Sequence, residues 1–300
     1  MAETQDAWVV TGPTSGYGRA TALELARHGT VVLVGRSPQK LAAVRSEIQA
    51  AGGEAVAVVA DFSDVVSVRR AAKEVVALDL PIRGVLNNAG IQTADTTPTA
   101  QGWDPSFATN HLGPLAFTES LFPALADGTN VVFIASAVED PERKPAVRVG
   151  FRGGRYLSAE AAARGEYTPG GSTRPGFDAY ATSKQGSLAA VFNLARQHPR
   201  LRFRAIEPGV NPGSNLGDLP AAARAIARVL TPVLTVIPHV TTSKRAAKVI
   251  TRIVTDPSGA TGIYYDENGA PLQASKQVSD PAFSDRYIAE SRALLATVPD

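Results

Sequence analysis

Residues 7–18 read Ala-Trp-Val-Val-Thr-Gly-Pro-Thr-Ser-Gly-Tyr-Gly, an apolar run that passes directly into a turn with three glycines. The run predicts a strand buried on both faces, as in a parallel sheet. Gly12, Gly16 and Gly18 allow a tight turn and let backbone amides approach a pyrophosphate, at which the following helix directs its N-terminus. The spacing is GxxxGxG, and strand-to-helix turns also need glycine for steric reasons, so a purely structural role stays open.

Further apolar runs alternate with helical segments along the rest of the chain. The first helix is expected from about Tyr17 to His28, ending before Gly29, and the next two are expected to begin at Ser37-Pro38 and Ser63-Asp64. The predicted strands are 7–11, 30–34, 54–60, 84–87, 130–135, 201–206 and 260–265. This alternation predicts an α/β fold, a doubly wound, mostly parallel, Rossmann-like sheet of about seven strands flanked by helices.

Bulk composition excludes several classes of protein. A net charge of +2 with scattered basic residues argues against nucleic acid or an anionic membrane as partner. There is no cysteine, and no two of the four histidines have metal-ligand spacing, so we expect no disulfide and no metal site. The first residues lack the apolar core of a signal peptide, which together with the missing cysteines favours the cytoplasm.

Five more motifs follow the glycine turn in order. Asn87-Asn88-Ala89-Gly90 comes after the fourth strand, Asn110 lies in a helix, Ser136 follows the fifth strand, Tyr180 precedes Lys184 by four residues, and Pro208-Gly209 follows the sixth strand. With Thr11-Gly12 and the two later glycines, these motifs resemble those of the single-domain short-chain dehydrogenase/reductases. The resemblance extends from residue 7 to about residue 216 and identifies no individual member.

The resemblance implies an NADP-dependent oxidoreductase that transfers a hydride between NADPH and a carbonyl or alcohol substrate. It makes Tyr180 the general acid/base, lets Lys184 also bind the nicotinamide ribose, lets Ser136 polarise the substrate carbonyl, and lets Asn110 hold a water on the proton path. The residues themselves place Tyr180 and Lys184 on one helix face, where the lysine cation is expected to lower the tyrosine pKa. Relatives commonly form dimers or tetramers, so a homo-oligomer is expected.

Cofactor choice can be argued from charge. Residues 31–39 contain no acid but contain Arg36, which suits the 2′-phosphate of NADPH better than the free ribose of NADH. A merely solvated Arg36 is the alternative, and Asp61, which would contact adenine by resemblance, has the alternative of a helix N-terminal acid. The cofactor contacts implied are Gly12, Thr14, Ser15, Gly16, Tyr17, Gly18, Arg36, Asp61, Phe62, Asn88, Ala89, Gly90, Tyr180, Lys184, Pro208, Gly209 and Val210.

Three features depart from the family pattern. Pro13 follows the first glycine, and Ser214 would replace the usual threonine near the carboxamide. Ser136 and Tyr180 are 44 residues apart (180 − 136), because a long insertion is predicted at about 139–177 within the single expected domain 1–300. The insertion joins two catalytic positions, so we expect it to form part of the substrate entrance, and its basic first half favours a polar or anionic group.

The remaining expectations concern substrate and class. The Ala, Pro and Val content of about 214–240 predicts a lid over a largely apolar substrate. Two alternatives to a carbonyl reductase are a catalytically silent NADP-binding regulator and an epimerase or dehydratase on the same fold. Intact Ser136, Tyr180 and Lys184 argue against the first, and the glycine spacing argues against the second.

Overall fold

The computed structural model describes residues 5–211 and 239–299. Its strands form one seven-stranded sheet in the order β3-β2-β1-β4-β5-β6-β7, and every neighbouring pair is parallel. The strands are β1 Ala7–Thr11, β2 Thr30–Gly35, β3 Ala55–Val59, β4 Ile82–Asn87, β5 Asn130–Ile134, β6 Arg202–Ile206 and β7 Ile263–Tyr265. The predicted doubly wound α/β fold is thereby confirmed.

Helices connect the strands and cover both faces of the sheet. The described helices are α1 Gly16–Leu25, α2 Pro38–Ala50, α3 Val65–Ala77, α4 Pro105–Phe107, α5 Gly113–Leu121, α6 Lys144–Arg148, α7 Ala159–Ala163, α8 Phe177–Gln197, α9 Ser243–Thr255, α10 Lys276–Ser279 and α11 Pro281–Ala296. A π-helical turn, Ala108–Leu112, joins α4 to α5. The central strands β1, β2 and β5 are buried along their whole length, which explains why their sequences are unbroken apolar runs.

The order of the strands reverses between β1 and β4. β1 pairs with β2 on one side and β4 on the other, and the chain winds outward from this centre in both directions. In open α/β sheets the crevice outside the carboxyl ends of the strands at such a reversal binds the ligand. The glycine turn and Asn88 lie directly after β1 and β4, so the fold brings the two motifs to this crevice.

Most element boundaries agree with the sequence within two residues, and the differences have local causes. α1 ends at Leu25, because the chain turns at 26–28 before Gly29, where a side chain would collide with the Asp6 carbonyl. β7 is restricted to Ile263–Tyr265, shorter than the predicted run. Asp64 caps α3 by accepting from the Val66 amide, so the predicted Ser63-Asp64 start holds.

Segment 139–177 packs more deeply than an insertion outside the core would. It contains α6 and α7 and no strand, as expected, but Tyr156 is 3% exposed and stacks on Tyr287 of α11 with ring centroids 3.7 Å apart. The alanines of α7 are buried against the same cluster. The sequence did not show this contribution because the partner helix lies more than 100 residues later in the chain. The predicted lid at 214–240 lies outside the described residues apart from 239 and 240.

Candidate active site

The glycine turn has the shape of a cradle for an anion. Gly12 has φ +64°, and a side chain there would come within 2.9 Å of the Ala89 Cα, while a side chain on Gly18 would collide with Asn88 and the Gly12 carbonyl. Gly16 has φ +54°, and among the described residues no non-neighbouring atom lies within 4 Å of the position its Cβ would take. Two glycines therefore permit close packing, and the third leaves open space at the start of α1.

The N-terminus of α1 is not capped by a side chain. Ser15 occupies the N-cap position in an extended conformation, and its hydroxyl makes no capping hydrogen bond. Such helix ends carry partial positive charge and amides without intrahelical partners, which suit a phosphate. The open space at Gly16 and this uncapped end fit the pyrophosphate of a dinucleotide, with Thr14 and Tyr17 on the same turn.

Asn88 ties the two strand ends together. Its Nδ2 donates to the carbonyl oxygens of Thr11 at 2.9 Å and Gly12 at 3.1 Å. The Thr11 hydroxyl accepts from the amides of Asn88 and Ala89, both at 2.9 Å. The Asn88 side chain thus shapes the glycine turn itself, and Thr11, which begins the motif, joins the ends of β1 and β4.

The adenosine end is more open. Arg36 directly follows β2 and is exposed, and within the described ranges it makes no ion pair. Asp61 accepts from the Ser63 amide at 3.0 Å and the Ser63 hydroxyl at 2.7 Å, a turn that precedes α3, whereas the N-cap of that helix is Asp64. The Phe62 ring is buried edge-on against Phe117, with centroids 5.5 Å apart, so the ring belongs to the core.

Ser136, Tyr180 and Lys184 come together as the sequence predicted. Ser136 lies two residues after the end of β5, and its side chain acts to lower the pKa of Tyr180. Lys184 is 4% exposed, donates to the Ile134 carbonyl at 2.8 Å, and has its Nζ 5.6 Å from the Tyr180 ring centroid. The three residues are therefore neighbours at the carboxyl end of β5, with Tyr180 and Lys184 on α8.

The expected direction of the Tyr180 pKa is wrong for the protein without ligands. Burial raises the pKa of Tyr180 well above its ordinary value, and the Glu207 carboxylate raises it further. Burial also lowers the pKa of Lys184, to about 8, which leaves the amine mostly protonated at neutral pH. The lysine lies over the ring rather than on the phenol oxygen, so the desolvation of Tyr180 exceeds any stabilisation of its phenolate.

Asn110 lies in the π-helical turn, a distortion that often marks functional sites. Its side chain is fully occupied: Oδ1 accepts from the Ile91 amide, and Nδ2 donates to the Ile91 carbonyl and to the Ser183 hydroxyl at 2.8 and 3.0 Å. The side chain therefore pins the segment after Gly90 to α8. Only the backbone carbonyl of Asn110 is left for the predicted water contact. The Ser187 hydroxyl donates to that carbonyl at 3.4 Å.

Tyr17 connects the glycine turn to the loop after β6. Its hydroxyl donates to the Gly209 carbonyl at 2.9 Å, and Gly209 has φ +83° between Pro208 and Val210. Val210 is 55% exposed and pairs through its backbone with residues 239 and 241. This hydrogen bond joins positions 192 residues apart in the chain, and the motif spacing alone did not reveal it. Ser214 lies outside the described residues.

Segment 139–177 places an aromatic pair beside the catalytic tyrosine. Phe151 stacks on Phe177 with centroids 4.1 Å apart, and its ring lies 6.2 Å from that of Tyr180. Arg152 and Arg155 donate to carbonyls within the segment itself, whereas the Arg174 guanidinium lies over the Phe177 ring, 5.5 Å from its centroid. The surface beside Tyr180 is therefore aromatic with one cation against it, and of these three arginines only Arg174 is placed to attract an anionic group there.

Two buried glutamates near Ser136 were missed by the sequence analysis. Glu139 is fully buried, and its carboxylate accepts from the Ser275 amide at 2.9 Å and from the Ser275 hydroxyl at 2.6 Å. Glu207 is 9% exposed and accepts from the Ala137 amide at 3.2 Å. Burial raises the pKa of Glu139 to about 7. Nothing in the local sequence of either residue signals burial.

We expect Glu139 to make stability depend on pH. Its pKa is about 7 in the folded chain and 4.5 ordinarily, so the folded state holds its proton more tightly, and stability decreases as pH rises through this window. The loss is about 3 kcal/mol, from about 1.4 kcal/mol per pKa unit. Urea unfolding of wild type and Glu139→Gln at pH 5 to 8 should show a decline that the variant lacks.

The matched control for Glu139 is Glu142→Gln, since Glu142 is 71% exposed and pairs with Lys276 at the surface. This control should follow the wild-type pH dependence. Parallel curves for wild type and Glu139→Gln would show that Glu139 does not titrate in this range.

Comparison with known proteins places the chain in a family. The family model described as short chain dehydrogenase matches residues 6–145. A short-chain dehydrogenase/reductase of Armillaria gallica is 31% identical over 193 residues, 63% of this chain and 59% of that protein. Polyprenol dehydrogenase of Mus musculus is 36% identical over 43% of this chain and 41% of that protein. The chain thus aligns with less than two thirds of the length of these relatives.

Solved structures agree on the fold. A short chain dehydrogenase from Burkholderia cenocepacia, solved in complex with NADP, superposes with a TM-score of 0.64 over 88% of this chain and 96% of that one, at 23% identity. With the ordered motifs, the parallel sheet and the grouping of Ser136, Tyr180 and Lys184, these matches have one explanation. The chain belongs to the short-chain dehydrogenase/reductase family.

Within residues 5–211 and 239–299, no helix combines the length and the apolar character needed to cross a bilayer. The same residues contain no cluster of three or more His, Asp or Glu side chains arranged to hold a metal ion.

Proposed function

We propose that this protein is an NADP-dependent oxidoreductase that interconverts a carbonyl compound and its alcohol, with Tyr180 as general acid/base. The observation that carries the proposal is the meeting of Ser136, Tyr180 and Lys184 at the carboxyl edge of the sheet, next to the glycine turn. When bound, the nicotinamide supplies the hydride chemistry. The protein supplies a proton at the Tyr180 hydroxyl and orientation by Ser136.

The residues have separate roles in this proposal. Ser136 lies close enough to Tyr180 to lower its pKa, so a substrate oxygen placed between the two hydroxyls would be polarised by one and protonated by the other. Lys184 holds a cation beneath the phenol ring and is anchored by the Ile134 carbonyl. Asn110 fixes the segment after Gly90 and thereby the wall of the crevice. The amide-rich end of α1, with Gly12, Gly16 and Gly18, would receive the pyrophosphate.

An apolar ketone or alcohol is the substrate class that the surroundings favour. Phe151 and Phe177 form an apolar side to Tyr180, and Val210 exposes its side chain on the loop after β6. Polyprenol dehydrogenase, one of the relatives, is named for an alcohol substrate. Reduction of a panel of aromatic and aliphatic ketones, followed by NADPH absorbance, tests the activity. Absence of NADPH consumption with every ketone would favour a silent cofactor-binding protein.

NADPH is expected to be preferred over NADH because of Arg36. An exposed guanidinium directly after β2, with no acid between residues 31 and 39, can bind the 2′-phosphate through charge-assisted hydrogen bonds. Loss of one such contact costs about 1.5–3 kcal/mol. Arg36→Ala should therefore weaken NADPH binding by about tenfold to a hundredfold and leave NADH binding much less affected, as measured by quenching of protein fluorescence.

The control for this variant is Arg45→Ala, which removes an exposed arginine from α2, away from the strand end. It should leave both dissociation constants close to those of wild type. Equal weakening of NADPH and NADH by Arg36→Ala would mean that Arg36 does not contact the 2′-phosphate.

A further inference from the structure

Glu207 brings a carboxylate into the interior immediately behind the catalytic residues. It follows β6 directly and precedes Pro208-Gly209, and its backbone amide donates to the Tyr265 carbonyl at 2.8 Å. The side chain is 9% exposed. Burying a carboxylate costs several kcal/mol unless hydrogen bonds and charges compensate. A chain that keeps a glutamate here is therefore expected to use it.

The carboxylate holds the turn that carries Ser136. Glu207 Oε2 accepts from the amide of Ala137, the residue next to Ser136, at 3.2 Å. Ala137 opens the single helical turn Ala137–Glu139, which closes through the Glu139 amide donating to the Ser136 carbonyl at 3.3 Å. The Ser136 backbone is thus fixed on its C-terminal side by one buried side chain from β6. Loss of that acceptor would release the turn and leave the Ala137 amide without its partner.

The charges around Glu207 come from several elements. Arg143 of segment 139–177 and His239 favour the carboxylate, while Glu267 opposes it, and burial raises the pKa of Glu207 most of all. Tyr264 of β7 and Glu139 lie in the same electrostatic neighbourhood. On the opposite side the carboxylate acts on two phenols, Tyr17 of α1 and Tyr180 of α8, and raises the pKa of each.

We propose that Glu207 is a positioning residue for the reaction, which holds Ser136 in place through the Ala137 amide and sets the charge that faces the Tyr180 phenol. The inference rests on the proposed function, because it assigns Glu207 a role through the Ser136–Tyr180 pair. The proposal accounts for two interactions of this carboxylate. One is its hydrogen bond with the Ala137 amide, next to Ser136, and the other is its effect through space on the Tyr180 phenol. The ionised carboxylate disfavours the Tyr180 phenolate, so it helps the phenol to keep the proton that it donates.

Two substitutions separate the hydrogen bond from the charge. Glu207→Gln keeps an oxygen acceptor for the Ala137 amide and removes the charge, and Glu207→Leu removes both. Steady-state kcat is measured from pH 6 to 10 with NADPH and the best ketone of the panel, and in reverse with NADP and the corresponding alcohol. Glu207→Gln should shift the pH limb assigned to Tyr180 to lower pH by about half a unit or more, in both directions.

Glu207→Leu should show the same shift and, in addition, a kcat lower than that of Glu207→Gln by about threefold to tenfold at the optimum, as expected for a lost hydrogen bond. The KM for NADPH should stay within about twofold of wild type for both variants, since the Glu207 side chain acts on Tyr17 only through space and no hydrogen bond recorded in the described residues joins it to the glycine turn. Glu290→Gln is the control, because it neutralises a partly buried glutamate of α11 that is bound to Tyr156 rather than to Ala137. Its pH limbs should coincide with those of wild type.

The outcomes distinguish the two proposals. If Tyr180→Phe retains turnover, or wild type reduces no ketone, the proposed function fails and this inference with it. If Tyr180→Phe is inactive while Glu207→Gln and Glu207→Leu keep the wild-type limbs and kcat, the inference alone is overturned. A limb that moves equally in Glu290→Gln also overturns it, because the loss of a carboxylate elsewhere in the chain would then have the same effect. Thermal unfolding of each variant verifies that the proteins compared are folded.

Discussion

Tyr180→Phe is expected to lower kcat for ketone reduction by about 10³-fold or more, because the substitution removes the proposed proton donor. General acid–base groups typically contribute about 10²- to 10⁴-fold to a rate. The Tyr180 phenol is buried and its ring lies over the Lys184 amine, and within the described part of the chain no other tyrosine ring lies over a lysine. Stopped-flow or steady-state loss of NADPH absorbance measures the effect.

The phenylalanine ring fits the same space, so binding of NADPH should change by less than about threefold. Tyr156→Phe provides a matched control. Tyr156 is also buried, but its hydroxyl donates to Glu290 at 2.6 Å and has no role in the proposed reaction. This variant should retain most of the activity of wild type even if it is somewhat less stable. A Tyr180→Phe enzyme with most of the wild-type kcat would rule out Tyr180 as the acid/base.

The sheet was predictable from local sequence, and the reason lies in its position. β1, β2 and β5 are covered on both faces, so each appears as a short unbroken apolar run that needs no knowledge of its neighbours. The ends of α2 were equally local: Ser37 accepts from the Lys40 amide, and Pro38 opens the helix. The four-residue spacing of Tyr180 and Lys184 likewise settled their common face without tertiary information.

The electrostatics of the site could not be derived in the same way. Desolvation raises the Tyr180 pKa, and Phe151 contributes to it by packing beside the ring. The pKa is raised further by Glu207, which directly follows β6. Both contacts connect positions distant in sequence, and one depends on a segment whose path has no periodic pattern. The motif shows the lysine that would lower the Tyr180 pKa. It does not show the burial that raises this pKa more strongly.

The hydrogen bond between Tyr17 and Gly209 shows the same limit of sequence-based prediction for the cofactor crevice. Tyr17 was assigned to the cofactor on the basis of its place between Gly16 and Gly18. Its hydroxyl instead donates to a carbonyl 192 residues later, so part of its role is to join the two loops that border the crevice. Motif spacing identifies which residues lie on a turn, whereas the partner of each side chain depends on the packing of remote elements.

Lys184→Ala is expected to reduce both catalysis and cofactor affinity, since one ammonium group is assigned two contacts. The amine is 4% exposed and donates to the Ile134 carbonyl, and its pKa of about 8 leaves it largely cationic at pH 7. A hydrogen bond to a charged group contributes about 1.5–3 kcal/mol, so loss of the ribose contact should weaken NADPH binding by about tenfold to a hundredfold. Loss of the cation beside Tyr180 should lower kcat by a comparable factor.

Lys184→Arg and Lys184→Met resolve the two contributions. Methionine keeps the length of the aliphatic stem without a charge and should resemble alanine in kcat, while arginine keeps the charge and should recover part of it. Because the Lys184 amine loses its proton as pH rises through about 8, wild-type affinity for NADPH should decline above this pH, and that decline should be absent in Lys184→Met. A variant with reduced kcat but unchanged NADPH affinity at every pH would confine Lys184 to the tyrosine. Both parameters falling together, with the alkaline decline lost, is the result required if this one buried cation serves proton transfer and cofactor binding.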